Sequence, residues 1–175
     1  MAGEAIGGWA LAAVLLFWGV GAYNRLVRLR AEIVRRFGAV DARWRERHAL
    51  LLQLADALAA LLASAQPRVE VLRTACAQGE AARLHASRHP GAPGAIASLG
   101  LADEILAEAR ARLPLPARAG TDLPTLDAQL GQADTAFAFA RSEFNAAVAA
   151  YNVAVAEQPT IWLARLVGFR PAGLL

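Results

Sequence analysis

Between Ala5 and Ala22 the chain carries no charge (AIGGWALAAVLLFWGVGA), and directly afterwards arginines appear at Arg25, Arg28, Arg30, Arg35 and Arg36. An apolar helix of about eighteen residues rises roughly 27 Å, close to the roughly 30 Å hydrocarbon core of a bilayer. Trp9, Trp18 and Tyr23 stand near its ends, where amphipathic rings favour the headgroup level, and Arg25 and Arg28 are the first charges beyond it. A cleaved secretory signal needs a basic segment ahead of the apolar stretch, whereas Glu4 is the only charge upstream here, so the pattern predicts a retained anchor. Arginines follow the span and none precede it, which by the positive-inside rule places the C-terminal body in the cytoplasm and the short N-terminal tail outside.

Beyond Tyr23, apolar residues recur at Ile33, Phe37, Val40, Trp44, Leu51, Leu54, Leu58 and Leu61, in steps of three and four with a gap at Arg47. This is the seam of a helix packed on partners, predicted to run unbroken to about Ala65. It forms an arm reaching about 60 Å from the bilayer. Pro67 suits the first turn of a second helix, capped by Ser64 or Gln66 and ending near Arg88. A turn at His89 to Gly94 leads to a third helix, Ile96 to Leu113, with Leu99, Ile105, Leu106, Ala109 and Leu113 as its apolar positions. Residues 114 to 124 read as a loop. The last long helix, Pro124 to about Glu157, carries the stripe Leu126, Leu130, Ala133, Phe137, Ala140, Phe144, Val148, Tyr151 and Val155.

With no period-two run, the expected fold is all-α: an N-terminal transmembrane helix continuing into an antiparallel up-down four-helix bundle. The divisions are 1–22 for tail and anchor, 23–158 for the bundle and 159–175 for a C-terminal juxtamembrane segment. If the first and last helices are antiparallel, Gln158 falls opposite Asn24 and paired numbers add to about 182 near the membrane, or nearer 189 at the far end. After Pro159, Ile161, Trp162, Leu166 and Phe169 alternate with Arg165 and Arg170. The segment lies either in the membrane interface, with Trp162 as an anchor, or on the end of the bundle.

The membrane-end register sets Asp41 against Arg141 and Arg47 near Asp134. An Arg that breaks an apolar seam needs a carboxylate on a neighbour, because a half-buried charge is costly alone. Arg47 is expected to be the more buried group, and Asp41 with Arg141 the more exposed pair. The angles agree less well, since Asp41 and Arg47 are about 120° apart on their helix and Asp134 and Arg141 within about 20° on theirs. The alternative is solvated charges paired only within their own helices. Asn145 and Asn152, seven residues apart and each after an aromatic residue, either bind backbone across an interface or occupy solvated flanks.

All eighteen basic residues are Arg, and the net charge is only +3. The excess sits beside the span, where anionic headgroups attract it, and no nucleic-acid partner follows. A single cysteine, Cys76, excludes an internal disulfide. His85 and His89 share a helix face at i and i+4, yet no third ligand or general base accompanies them. Ser142 has no neighbouring base, and neither a nucleophile elbow nor a phosphate-binding glycine loop is present. No catalytic, cofactor-binding or metal residue is assigned, and no cofactor is expected.

The words AYNRLVRLR (22–30), VDARWRERHALL (40–51) and DTAFAFARSEFNAAVAAYNVAVAEQP (134–159), with Gly168-Phe169 after them, resemble the LemA family of bacterial membrane-anchored helical proteins. The family's last helix typically carries R-x-x-Y-N, a second Y-N and then Pro; Arg141, Asn145, Tyr151, Asn152 and Pro159 stand at matching places, with Phe144 for the first Tyr. The resemblance implies a single anchor in the bacterial inner membrane, an outward tail, a cytoplasmic bundle and no established biochemical activity. Some relatives look like membrane-organising factors, which favours a scaffold whose partners are the lipid bilayer and other membrane proteins or itself. A sensor or signalling adaptor acting through oligomerisation is the alternative, with Gly8-x-x-x-Ala12 as a weak helix-association word. A metal-dependent hydrolase using His85 and His89 ranks last.

Overall fold

A computed structural model describes residues 2–61, 63–113 and 123–175, which form helices and no strand. The first helix, α1 (Ala2–Leu61), is continuous, and at 1.5 Å per residue it is about 90 Å long. It has two regimes. No residue from Gly7 to Arg25 is buried, and Trp9, Leu16 and Phe17 are 78%, 68% and 77% exposed. From Leu26 onward one face is sealed, with Ile33, Phe37, Val40, Trp44, Leu51, Leu54 and Leu58 all buried. Among the described residues α1 is the one helix long and apolar enough to cross a membrane, and its most apolar window is 6% buried.

A 3-10 turn (Ala63–Ala65) ends the arm, and α2 (Gln66–Arg88) begins at once with Pro67 in its first turn. Neither Ser64 nor Gln66 caps it. Fully buried Ala65 takes the cap position, where a polar side chain would be cut off from water. The helix α3 (Pro93–Ala111) starts at Pro93, three residues before the expected Ile96, because proline's fixed φ suits the first helical position. The fourth helix is α4 (Leu123–Ala156), and the expected 114–124 loop lies outside the described residues up to 122. A cis Gln158-Pro159 bond leads to α5 (Thr160–Val167). Gly168 ends α5 with φ +84°, a left-handed conformation that glycine adopts without steric cost.

Two seam positions are corrected. Leu61 is 44% exposed at the end of α1, and Ile105 is 39% exposed because its neighbour Leu106 takes the inward direction, 100° away on the helix.

As numbering climbs α1 from Arg25 to Arg36 to Arg47, ionic partners descend from Glu157 just past the end of α4 (3.1 Å) to Glu143 (2.5 Å) and Asp134 (3.7 Å) on it. The two helices therefore run in opposite directions, and the spacing stays within one turn of the 182 register, with no drift toward 189 over this stretch. Edge-on aromatic pairs lock it: Phe37 on Phe144 at 5.8 Å and Trp44 on Phe137 at 5.7 Å, each worth about 0.5–1.5 kcal/mol beyond burial. Next to α1 on its other side lies α2, and α3 packs on α2. Among the described residues no Cα of α3 comes within 8 Å of α1 or α4, which leaves a cleft between α3 and α4.

Candidate functional site

The cleft is bridged by charge. Arg47 on α1 points into it with its guanidinium 5.1 Å from the Trp44 ring centroid and 4.4 Å from that of Phe137, and its side chain is only 10% exposed. It donates to Asp103 on α3 and lies 3.7 Å from Asp134 on α4. Arg110 on α3 donates to Asp134 and, at 3.1 Å, to Asp127; Arg141 on α4 stands 3.6 Å from Asp103. Heptad spacing produces this. Asp103 and Arg110 on α3, and Asp127, Asp134 and Arg141 on α4, recur every seven residues and so drift only about 20° per step around each helix. Three arginines face three aspartates, so the cleft holds no net charge while each ion's desolvation is offset by a partner. The buried Trp44 indole N–H has no acceptor among the described residues.

Asp41 does not meet Arg141. Its carboxylate takes Arg83 of α2, and Arg45 at 2.9 Å, while Arg83 also holds Glu80 at 2.6 Å. The reason is angular: the roughly 120° that separates Asp41 from Arg47 turns one toward α2 when the other faces the cleft. Asp41 is also the better covered of the expected pair, with its side chain 16% exposed against 47% for Arg141. Hydrogen bonds to Glu80 and Asp41 push the Arg83 guanidinium above its ordinary range, and the Arg83 bond pulls Glu80 down. Asp103, Arg110, Asp127 and Arg83 were not singled out in the sequence; the seven-residue spacing was the available signal for the first three.

At the end nearer the bare stretch of α1 the cleft is filled by the chain itself. Residues 168–175 leave α5 without regular structure and lie as a strap along α4. Asn152 donates to the Ala172 carbonyl (2.9 Å) and accepts from the Ala172 N–H (2.8 Å), and Asn145 does the same with Leu175 at 2.8 and 2.9 Å. Each side-chain amide thus pairs with one residue's backbone as a neighbouring strand would. Tyr151 adds its hydroxyl to the Arg170 carbonyl at 3.0 Å, with burial raising its pKa. On the opposite wall Gly173 donates to Gly91 O at 3.3 Å, and a Cβ on Gly173 would fall 2.6 Å from Pro93 Cα, so only glycine permits this approach. Phe144 is fully buried against Phe37.

Past Leu175 the cleft opens into a cavity of about 970 Å³ whose lining includes Arg47, Asp103, Arg110, Asp134, Arg141 and Asn145. At the other end of the molecule, Tyr23 (43% exposed) meets Phe169 edge-on at 5.9 Å and Arg25 reaches Glu157, so α5 sits where the bare stretch of α1 ends. Trp9 and Trp18 are exposed on that stretch, Arg28 is exposed beyond it, and Trp162 on α5 is 67% exposed. The rings of His85 and His89 stand 5.3 Å apart on the surface, and no group of three metal-binding side chains occurs among the described residues. Burial pushes the Cys76 thiol up to about 11, and Ser142 lines the cleft without a base beside it.

Residues 105–175 match the LemA family model. The LemA match takes in the end of α3 with Arg110, all of α4 with its two asparagines and Tyr151, and α5 with the strap. Most of what builds the cleft and its filling therefore falls inside it, while α1 and α2 lie outside. No curated protein and no solved structure matches the chain.

Proposed function

We propose that the chain is a membrane-anchored scaffold of the LemA type, without catalytic activity, that recruits partners through a cytoplasmic helical body. The supporting observation is the two-regime α1: one rigid helix is bare and apolar from Gly7 to beyond Val20 and core-forming from Leu26, with no break between. In this reading α1 crosses the bacterial inner membrane once, with the N-terminus outside. α1 to α4 then form an up-down antiparallel four-helix bundle carried about 60 Å into the cytoplasm. The recruiting face is the cleft beyond Leu175, beside the place where α4 already reads an extended backbone through Asn145 and Asn152.

The test has two arms. Membranes holding the full chain are washed at high pH, and the chain is expected to stay in the pellet. A photo-crosslinking residue placed at exposed Ala138, which lines the cleft, is then expected to capture a reproducible set of proteins. Release into the supernatant removes the anchor from the account, and adducts no different from those of a photo-crosslinker at exposed Val153 remove the scaffold.

A further inference from the structure

A second cavity, about 470 Å³, lies at the membrane-proximal end, walled by α1, the α2–α3 turn, the first turn of α3, Tyr151 and the strap. Its charge differs in kind from that of the cleft. Arg30, Arg88 and Arg170 line it together with His89, and no Asp or Glu lines it. None of the three guanidinium groups has an ion-pair or hydrogen-bond partner among the described residues, although the neighbouring Arg25, Arg35, Arg36 and Arg83 all have carboxylates. Three like charges around one hollow give it a positive potential that favours an anion.

The first turn of α3 opens onto this hollow through Ala92 and Pro93, and it has no side-chain cap and no acidic residue. Ala92 gives its N–H to the His89 carbonyl at 3.0 Å and Pro93 has none, so the cationic character of the hollow comes from its arginines. The strap fixes the third wall: the Arg170 carbonyl is held by Tyr151 and Ala172 by Asn152, so Arg170 is placed by bonds rather than left on a free tail.

Depth selects the source of the anion. Arg30 follows Ala22 by eight residues, about 12 Å along α1, and side chains on a helix lean toward its N-terminus, here toward the bilayer. The headgroup layer is roughly 5–8 Å thick on each side of the hydrocarbon, within reach of long arginines that extend toward it. Pro90, Pro93 and Val34 supply an apolar wall, and the volume suits a phosphate with the glycerol unit attached to it.

We propose that this pocket binds the phosphate of an anionic phospholipid headgroup. The assignment rests on the membrane-anchored reading above. Bound there, one lipid would tie α1, the α2–α3 turn and the strap to the bilayer surface at a second point besides the span.

In the test, full-length chain in detergent is offered equal amounts of phosphatidylglycerol and phosphatidylcholine, and the retained lipid is counted by mass spectrometry. Each arginine near an anionic surface favours binding about fivefold, so a preference for phosphatidylglycerol of at least about tenfold is expected even with screening. The combined variant Arg30→Gln, Arg88→Gln, Arg170→Gln is expected to fall below about twofold, and the corresponding triple lysine variant to recover part of it, since charge but not the planar fork is restored. Arg165→Gln, at the same end of the molecule but outside the pocket, is expected to change nothing. All three arginines are exposed, so helical content and melting temperature should be unaltered. Equal retention of the two lipids by the native chain, or an undiminished preference in the glutamine variant, overturns the pocket. Tight retention of inorganic phosphate without any lipid preference overturns the lipid source. Flotation with phosphatidylcholine vesicles reads the anchor separately: a variant that floats but has lost its preference upholds both readings, and a native chain that does not float sinks the anchor itself.

Discussion

Replacing Asn152 by Ala removes two hydrogen bonds at once, the donation to Ala172 O and the acceptance from Ala172 N, and Asn145→Ala does the same at Leu175. At a net worth of about 1 kcal/mol each, one asparagine holds its part of the strap by about 2 kcal/mol, or roughly thirtyfold in the opening equilibrium. The strap has few other ties, the Tyr151 and Gly173 bonds and the partial burial of Phe169, Ala172 and Leu175, so it is expected to open without the helices unfolding. Hydrogen exchange of the full chain in micelles reads this directly. In Asn152→Ala the Ala172 amide should exchange about thirtyfold faster while the Val40 and Trp44 amides keep their rates. Unchanged exchange at Ala172 would refute the strand-like pairing; equal acceleration at Val40 would show that the asparagines hold up the whole fold rather than one segment.

Arg47→Met keeps an unbranched side chain between Trp44 and Phe137 but leaves Asp103 with the longer Arg141 contact at 3.6 Å and Asp134 with Arg110 alone; a loss of about 2–3 kcal/mol in denaturant unfolding is expected, and the added change Asp103→Leu should recover part of it. A single variant as stable as the native chain would contradict the burial of that ion pair. The Cys76 thiol, held protonated by burial with a pKa of about 11, should react with a thiol reagent at pH 8 far more slowly than it does in denaturant. Arg35 and Arg36 hold the Glu32 carboxyl at about 2, below its ordinary 4.5, so its contribution is complete above the higher value and is lost as pH falls toward the lower one. An acid melt of Glu32→Gln should therefore depend less steeply on pH over that window than the native chain's.

The apolar pattern predicts most of the architecture because each long helix shows one face to partners and the other to water. The uncharged stretch and the seam from Ile33 to Leu58 merge in the sequence without a breaker, and α1 accordingly runs through both. Gly38 does not interrupt it, since a lone glycine costs a helix only about 1 kcal/mol and both neighbouring turns are anchored by Phe37 and Val40. Capping was harder to read: at the α1–α2 corner, tertiary burial of Ala65 displaced the local preference for a polar cap.

The site was legible only in pieces, and the reason is geometric. Arg47 announced itself as a charge in an apolar seam, but its main partner, Asp103, sits on α3, which does not approach α1 in backbone terms and was not part of the two-helix register. A register built on one antiparallel pair can name neighbours across that pair alone. It therefore assigned Arg141 to Asp41, when the cleft between α3 and α4 gave Arg141 to Asp103 and α2 gave Arg83 to Asp41. The asparagines were harder still. Their partner is a strap with no period of its own, and an amide that pairs with backbone requires no particular side chain opposite. What remains visible in sequence is indirect: two amides seven residues apart need a backbone that stays beside one helix face for about two turns, roughly 10 Å. Residues 172 to 175 supply it, three steps of chain that span about 10 Å when extended, which matches the rise from Asn152 to Asn145. That coincidence of lengths is why one heptad of α4 can hold both ends of the strap. A one-residue insertion between Ala172 and Leu175 should leave only one of the two amides paired.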